Sequence, residues 1–250
     1  MDETANLVEI FSSFQGEGIY IGKRQLFIRF AFCNLNCGYC DTPIEDSLVN
    51  ECLIERNSGS GVIEKIKNPF TVHSLLGVTK KFLLKNRFHH SISLTGGEPL
   101  LYTPFLEKLL SGMNAEIPVY LETNGTLFEE LESILRKIDI ISMDIKLPDT
   151  GGIDPQWDAH KKFLRLANKK EVFVKTVVGD CTTKDEFVAA VELVSEVEQG
   201  IPFIIQPLTI DEGRNTAQAY SHLFEFYEYA SSHLKDVRII PQSHKMMGIL

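Results

Sequence analysis

The sequence contains no long apolar run. Within its 250 residues, no stretch approaches the roughly 20 consecutive apolar residues that a membrane-spanning helix needs. The N-terminal stretch MDETANLVEI is acidic, and it lacks the basic start and apolar segment of a secretory signal peptide. We therefore expect a cytoplasmic protein that makes no membrane contact. The composition, 44% hydrophobic and 24% charged, allows a sizeable buried core, and we interpret residues 1–250 as one domain.

An excess of positive charge is also missing. The chain has 25 Lys and Arg against 34 Asp and Glu, which gives a net charge of -9. Proteins that bind nucleic acid present a basic face, so we expect no broad contact with nucleic acid. The charge does not exclude a small anionic substrate that is held in a local basic pocket.

Cysteine is scarce and unevenly placed. Three of the five cysteines, Cys33, Cys37 and Cys40, lie within the stretch AFCNLNCGYCDT. A reducing cytosol disfavours structural disulfides, so these three are predicted to be metal ligands. Cys52 and Cys181 stand alone, and we interpret them as ordinary thiols.

A fourth clustered ligand is absent. A structural zinc site needs four ligands, so zinc would require a remote histidine such as His73 or His160. Iron–sulfur clusters are normally held by cysteine thiolates, and three thiolates would leave one iron of a four-iron cluster open. An iron without a protein ligand can bind a small molecule, and this indicates that the cluster takes part in a reaction. An electron carrier should ligate every iron, and the chain supplies too few clustered ligands for that.

Apolar, β-branched runs alternate with longer amphipathic runs along the chain. The predicted strands are residues 25–31, 90–95, 118–122, 138–145, 171–178, 203–207 and 237–240. The predicted helices are residues 72–84, 104–111, 127–137, 156–167, 184–198 and 216–234. Thr183 and Glu186 have the spacing of a capping box at a helix start.

This alternation predicts an α/β fold with a parallel sheet covered by helices. Six such units are too few for a closed eight-fold barrel, so we expect an open, partial β/α barrel. The region 44–69, which contains SerGlySerGly at 58–61, is interpreted as an insertion or flexible loop.

Polar motifs follow the predicted strands. They are the cysteine stretch, ThrGlyGlyGluPro at 95–99, GluThrAsnGly at 122–125, SerMetAspIleLys at 142–146 and GlnProLeu at 206–208. Because the carboxyl ends of parallel strands share one edge of the sheet, we expect these motifs to meet at one mouth.

The cysteine spacing C-x3-C-x2-C resembles that of the radical S-adenosylmethionine (SAM) enzymes, and GlyGlyGluPro at 96–99 resembles their second motif. The resemblance implies a [4Fe–4S] cluster on Cys33, Cys37 and Cys40, whose open iron chelates SAM. It also implies that an electron from the cluster cleaves SAM to a 5′-deoxyadenosyl radical. The expected fold is the partial barrel of that superfamily.

The resemblance extends to one family within the superfamily. The stretches FSSFQGEGIYIGKRQLFIRFAFCNLNCGYCDT, SLTGGEPLL, LETNGT and PQSHKMMGIL are similar to those of the 7-carboxy-7-deazaguanine synthases. These lyases contract 6-carboxy-5,6,7,8-tetrahydropterin to 7-carboxy-7-deazaguanine with loss of ammonia, on the route to queuosine or archaeosine in transfer RNA. The family implies a magnesium-dependent homodimer that uses SAM catalytically and receives electrons from a donor such as flavodoxin or ferredoxin.

The family resemblance also implies roles for single residues. Thr42 would be the magnesium ligand, or else cap the turn after the cysteines. The residues expected to bind the pterin are Phe14, Gln15, Gly16, Arg29 and Thr95. The residues expected to bind SAM are Tyr39, Gly97, Glu98, Glu122, Asn124, Ser142, Asp144, Lys146 and Gln206.

Several of these residues have an alternative structural interpretation. Arg29 would pair with the pterin carboxylate or with an internal Asp or Glu. Tyr39 would lie beside adenine or pack within its loop, and Gln206 would contact SAM or be a core amide. Gln15 and Gly16 would otherwise belong to a glycine-rich turn. Gly97 and Glu98 would otherwise belong to a tight strand-to-helix turn.

One motif departs from the family pattern. The synthases often read Ser-Pro-Lys at the fourth strand end, whereas this chain has AspIleLys at 144–146, like the enzymes that activate glycyl-radical enzymes. An activating enzyme that abstracts hydrogen from a partner protein is therefore the alternative function. FQGEG at 14–18 and HisLysMetMetGly at 244–248 favour the small-molecule synthase.

Overall fold

The computed structural model describes residues 3–40, 49–85, 88–113, 116–209 and 216–249. In chain order the strands are β1 Thr4–Ala5, β2 Leu7–Phe14, β3 Arg24–Phe30, β4 Glu51–Glu55, β5 Ile63–Lys67, β6 Phe70–Thr71, β7 Ser91–Gly96, β8 Val119–Thr123, β9 Ile140–Asp144, β10 Glu171–Val178, β11 Phe203–Pro207 and β12 Val237–Ile239. The α-helices are α1 Val72–Lys85, α2 Thr103–Gly112, α3 Phe128–Ile134, α4 Pro148–Gly151, α5 Trp157–Ala167, α6 Lys184–Val197, α7 Thr216–His233 and α8 Ser243–Met247.

One large sheet organises the molecule. Its strand order is β12-β11-β10-β9-β8-β7-β3-β2-β4-β5, and a separate short pair joins β1 to β6. The strands from β12 to β3 in this order run parallel, whereas β2 lies antiparallel to β3. Among the described residues, the edge strands β12 and β5 do not pair with each other, so the barrel is open. The prediction of an open β/α barrel is confirmed.

The two faces of the parallel strands differ in polarity, because successive side chains of a strand point to opposite faces. On β3, Leu26, Ile28 and Phe30 belong to the main core together with apolar residues of the helices. The alternate positions of the same strand include Phe27 and Arg29, which line a cavity. The apolar face therefore carries the helices, and the opposite face is left for polar side chains.

The predicted helices and parallel strands are confirmed within a few residues at each end. Helix α6 begins with the predicted capping box, in which Thr183 and Glu186 each bind the other's backbone N–H group. The sequence analysis did not predict β2, whose eight residues pair antiparallel with β3 over nearly their full length. This pairing depends on contacts with a later strand, and the residues of β2 alone do not specify it.

The region 44–69 differs from the expectation in its described part. Residues 51–55 and 63–67 form the antiparallel strands β4 and β5 instead of a flexible loop. Strand β4 joins the sheet because Cys52 and Ile54 alternate toward the core and Ile54 pairs with Ile10 of β2. That the chain is a single domain with an insertion here stays a prediction.

No helix within the described ranges is both long and apolar enough to cross a lipid bilayer. The longest of them, α7, carries charged and polar residues along its 18-residue length.

Candidate active site

A cavity of about 240 Å³ opens on the polar face of the sheet. Its wall includes side chains from the predicted strand ends and from the loop after β2, which brings together nearly all of the predicted site. The residues predicted from the sequence that line it are Phe14, Gln15, Gly16, Arg29, Cys33, Cys37, Tyr39, Cys40, Thr95, Gly97, Glu122, Asn124, Ser142, Asp144, Lys146 and Gln206. The expectation that the strand-end motifs meet at one mouth therefore agrees with this arrangement.

The cysteine loop, residues 33–40, is tied to the neighbouring strand ends. The Gly38 N–H group donates to the Gly151 carbonyl at 2.8 Å, and the Asn124 amide donates to the Cys33 sulfur at 3.6 Å. Helix α4, which supplies Gly151, is itself held by the Glu186 carboxylate, which accepts from the Asp149 N–H group at 2.7 Å. Glu186, which belongs to the capping box of α6, thus also supports the loop that carries the cysteines.

The donor set of the loop fits an iron–sulfur cluster better than a single metal ion. Cys33 and Cys37 are half-buried and Cys40 is exposed at the cavity wall. Within the described part of the chain, no three ligand-type side chains converge on one ion. A cluster needs no such convergence, because each thiolate binds its own iron. The remote histidines that zinc would require, His73 and His160, do not line the cavity.

Three buried polar atoms of the cavity residues are left over for a ligand. The Tyr39 hydroxyl, Asp144 Oδ1 and Gln206 Oε1 are buried and have no hydrogen-bond partner among the described residues. Unpaired buried polar groups are costly, so such atoms indicate a polar ligand. A cofactor with hydroxyl, amino and carboxylate groups, such as SAM, fits this wall.

The GGEP motif lies beside the cysteine loop and approaches it through backbone atoms. The Gly97 N–H group donates to the Phe30 carbonyl at 3.0 Å, and the Glu98 N–H group donates to the Phe32 carbonyl at 2.8 Å. A Cβ atom on Gly97 would overlap the Phe32 carbonyl, so only glycine fits. The motif therefore positions the backbone that leads into Cys33.

Glu98 differs from its predicted role as a SAM contact. Its side chain is fully buried and is not part of the cavity wall. It accepts hydrogen bonds from the Thr123 hydroxyl at 3.0 Å, the Asn124 N–H group at 2.8 Å and the Leu100 N–H group at 3.1 Å. The carboxylate therefore joins two strand-end motifs, because its hydrogen bonds hold it beside residues 123 and 124. Burial raises the pKa of Glu98 to about 7, although these hydrogen bonds act to lower it.

We expect Glu98 to make the cluster-free protein less stable as the pH rises from about 4.5 to 7. The folded-state pKa of about 7 lies above the ordinary 4.5, so folding retains a proton that the unfolded chain loses in this window. At about 1.36 kcal/mol per pKa unit, this amounts to about 3 kcal/mol of unfolding free energy. Glu98→Gln should lack this slope, as measured by urea unfolding at pH 5 and pH 8.

Glu132→Gln, a change at an exposed position of α3, is the matched control and should keep the slope of the unchanged protein. Equal pH dependence of the Glu98→Gln variant and the unchanged protein would contradict the assignment.

Two of the residues predicted to bind the pterin, Gln15 and Thr95, are joined through the Glu122 carboxylate. The Gln15 amide donates to Glu122 Oε1 at 2.7 Å, and the Thr95 hydroxyl donates to Glu122 Oε2 at 2.7 Å. Glu122 was predicted to bind SAM, but its carboxylate lies against these two pterin candidates. Phe14 is half-exposed at the rim, and Gly16 leaves room for the His244 ring where a Cβ atom would stand.

Arg29 has a partner within the chain. Its Nε atom donates to Glu9 Oε1 at 2.6 Å, which matches the internal ion pair considered as an alternative. The guanidinium also lines the cavity. Glu9 orients Arg29 by one nitrogen, and the cavity position is compatible with a carboxylate at the other two.

The fourth strand end carries a buried ion pair. Lys146 donates to Asp144 at 2.8 Å, and its ammonium lies 5.2 Å from the centre of the Tyr39 ring. Burial lowers the pKa of Lys146, but Asp144, Tyr39 and Cys37 together raise it well above the ordinary value. Ser142 is buried beside them and lines the cavity. AspIleLys thus places one negative and one positive group on the cavity wall.

Sequence reasoning missed several residues of the cavity wall. Glu17 and Lys175 form a buried ion pair, and Gln242 donates to Glu17 Oε1 at 2.8 Å. His244 lies against Gly16 and also lines the cavity. A signal for Lys175 was present, because it is the only charge inside the run ValPheValLysThrValVal at 172–178. Lys175 lies two residues from both Phe173 and Val177 along β10, so its side chain is on the same inward face of the sheet as theirs.

The fold and the site together define a class of protein. A family model described as "Radical SAM superfamily" matches residues 27–194, which include the cysteine loop and the GGEP motif. The open barrel with a cysteine triplet and a cavity at its strand ends is therefore that of a radical SAM protein.

Comparison with whole proteins narrows the class. The chain is 42% identical over 247 residues to the 7-carboxy-7-deazaguanine synthase of Geobacter sulfurreducens, with 98% of each protein covered. It is 33% identical over 250 residues to the synthase of Archaeoglobus fulgidus, with 98% and 99% covered. The crystal structure of QueE from Escherichia coli shares the fold at 20% identity, with a TM-score of 0.56 over 97% of this chain and 94% of that one. The chain belongs to the 7-carboxy-7-deazaguanine synthase family.

These relatives favour the synthase over the alternative function. The similarity to the Geobacter sulfurreducens synthase covers 98% of this chain, which is well beyond the superfamily domain at residues 27–194. AspIleLys at 144–146 is therefore a local resemblance to activating enzymes within a synthase chain. Members of the radical SAM superfamily use a [4Fe–4S] cluster and SAM, and the thiols and unpaired polar atoms of this cavity fit both.

Proposed function

We propose that this protein converts 6-carboxy-5,6,7,8-tetrahydropterin to 7-carboxy-7-deazaguanine with loss of ammonia, as a carbon–nitrogen lyase. The observation that carries the proposal is the 42% identity to a 7-carboxy-7-deazaguanine synthase over 98% of both chains. The cavity supports it, because the cysteine loop and the FQGEG loop line the same space. The product would feed 7-deazapurine synthesis for transfer RNA modification.

The residues of the cavity divide into those that hold the cofactors and those that hold the substrate. Cys33, Cys37 and Cys40 would bind the cluster, and the unpaired atoms of Tyr39 and Asp144 would face SAM. When bound, these cofactors supply a radical that takes a hydrogen atom from C6 of the pterin.

The pterin ring presents both hydrogen-bond donors and acceptors, and the wall offers both. The Gln15 amide and the Glu122 carboxylate are already hydrogen-bonded to each other, so they present a fixed pattern to the ring. Phe14 offers an aromatic face at the rim, where it is half-exposed. The cationic Arg29 would hold the substrate carboxylate in place.

An anaerobic assay tests the proposed reaction. The reconstituted protein is incubated with SAM, a reductant and C6-deuterated tetrahydropterin, and the products are followed by mass. We expect the deazaguanine product and deuterium in 5′-deoxyadenosine or in recovered SAM. The absence of product from a cluster-loaded protein would refute the proposal, and product formation only with an added partner protein would support the activating enzyme.

Arg29→Lys is expected to raise the KM for the pterin or lower kcat/KM while the cluster content stays unchanged. A lysine cannot reproduce planar two-point recognition of a carboxylate. The loss of a charge-assisted hydrogen bond costs roughly 1.5–3 kcal/mol, which is roughly a 10- to 150-fold effect. Steady-state kinetics and iron analysis measure the two quantities.

The matched control for this change is Arg56→Lys. Arg56 also donates through Nε to a glutamate, Glu64, at 2.6 Å, but this pair is exposed at the surface. Its replacement should leave the kinetics unaltered. Loss of the cluster or of the fold in Arg29→Lys would instead assign Arg29 to the ion pair with Glu9.

Magnesium binding by Thr42 stays a prediction, because Thr42 lies outside the described residues. A hard cation with few protein ligands needs substrate oxygens and water to complete its octahedron. We therefore expect magnesium to stimulate turnover of the unchanged protein strongly and that of Thr42→Val weakly, as a titration of initial rates would measure. An unchanged magnesium response in Thr42→Val would exclude this ligand.

The expected partners remain part of the proposal. We expect a homodimer, which sedimentation would detect, and an electron donor such as flavodoxin or ferredoxin. Replacement of a chemical reductant by reduced flavodoxin or ferredoxin should sustain turnover. A monomer at assay concentration would contradict the expected homodimer. Failure of both flavodoxin and ferredoxin to sustain turnover would contradict the expected electron donors.

A further inference from the structure

A row of four charged side chains of alternating sign lies along the cavity wall. We call it the charge row, and its members in spatial order are Glu17, Lys175, Asp144 and Lys146. Lys175 is paired with Glu17 on one side and lies 3.3 Å from Asp144 Oδ2 on the other. Asp144 accepts from Lys146 at 2.8 Å. The side chains of Lys175 and Asp144 are each only 12% exposed.

The charge row joins the two functional halves of the cavity. Glu17 belongs to the FQGEG loop and directly follows Gln15 and Gly16, whereas Asp144 ends β9 on the cofactor side. Lys175 comes from the middle of β10, a strand that is paired on both sides and is therefore held rigidly. A buried charge is tolerated only with partners. The position of the Lys175 ammonium on the rigid strand therefore fixes the position of the Glu17 carboxylate.

We propose that Lys175 is a positioning residue that holds the FQGEG loop against the cofactor side of the cavity through Glu17 and Asp144, and so sets where the pterin lies. The inference rests on the proposed function, because it assigns the pterin to this loop. Lys175 itself needs no contact with the substrate. Its effect passes through Glu17 to the neighbouring Gln15 and Gly16.

The environment of Glu17 provides a specific way to test this role. Burial raises the pKa of Glu17, but Lys175, Gln242 and His244 together lower it to about 2. Tyr120 also interacts electrostatically with Glu17, and Asp144 lies on the other side of Lys175. Without the Lys175 charge, burial would favour the neutral acid. Glu17 would then leave the wall when ionised and return when protonated.

The experiment measures the Kd of the tetrahydropterin for anaerobic, cluster-loaded protein at pH 8 and pH 6. Lys175→Met should weaken binding about tenfold at pH 8 but less than about threefold at pH 6. Adding Glu17→Gln to that variant should restore binding at pH 8 and abolish the pH dependence. Lys175→Arg, which keeps the charge, should bind within about threefold of the unchanged protein. Lys161→Met, which removes a surface ion pair with Glu196, is the matched control and should leave the Kd unchanged at both pH values.

Three outcomes would overturn the inference. Binding by Lys175→Met could equal that of the unchanged protein at both pH values. Alternatively, it could be weakened equally at both pH values and not be restored by Glu17→Gln. If thermal unfolding shows that neither the single nor the double variant folds, Lys175 serves stability alone. If the unchanged protein does not bind the pterin, the proposed function fails first, so the two failures are distinguishable.

Discussion

Replacement of Cys33, Cys37 and Cys40 together by alanine is expected to abolish iron binding and product formation. These cysteines lie in one loop at the cavity wall, and within the described residues no other group of ligands can replace them. Without the cluster, the reaction should fall to the uncatalysed rate, a decrease of at least about 10⁶-fold. Iron content, visible absorption after anaerobic reconstitution and product mass are the measurements.

Cys181→Ala is the control, because Cys181 is an exposed cysteine that does not line the cavity. This variant should bind iron and form product like the unchanged protein. A triple variant that retained full iron content and visible absorption would show that the cluster lies elsewhere. Circular dichroism of the triple variant should match that of the unchanged cluster-free protein, because the thiols contribute little to the core.

Gly97→Ala is expected to destabilise the protein and to eliminate activity. The added Cβ atom would overlap the Phe32 carbonyl, and backbone atoms cannot move aside as a flexible side chain can. Such overpacking costs about 3 kcal/mol or more in a site that cannot relax. The shift would also displace Cys33, the residue after Phe32, so iron binding should fall with stability. Urea unfolding and iron analysis after reconstitution test both effects.

Gly77→Ala provides a matched glycine control. Gly77 lies in α1, and apart from its neighbours and the backbone of its own helix, a Cβ atom there would meet nothing within 4 Å. Alanine should therefore be neutral or should stabilise the helix by about 0.5–1 kcal/mol. If Gly97→Ala behaved like Gly77→Ala, the close approach of the GGEP motif to the cysteine loop would not constrain the site.

The parallel part of the sheet could be predicted from the sequence because its signals are local. The strands of this part are apolar runs, most of them followed by a polar motif, and the helices repeat their apolar residues at helical spacing. The capping box of Thr183 and Glu186 is a signal of four residues. The cysteine spacing is equally short, so the number of available thiolates could be read without any knowledge of the fold.

The strands that precede and extend the parallel part could not be predicted in the same way. Strand β2 is stabilised by pairing with β3 and β4, and β4 in turn depends on β5. Propensity in a strand reflects its neighbours, which a linear pattern does not identify. The glycine and serine residues at 58–61 indicated a loop correctly, but the strands on either side of them were missed.

The sequence by itself determined the order of strands and helices, the three thiols and the motifs at the strand ends, because all of these depend on spacing over a few residues. Only the tertiary structure decided how the polar side chains pair across the cavity. Lys175 and Glu17 are 158 residues apart, and Gln15 reaches Glu122 across 107 residues. Glu98 turns away from the cavity because donors from residues 123 and 124 surround its carboxylate. Such pairings depend on which strands lie side by side and which face each side chain occupies, and the folded sheet alone specifies both.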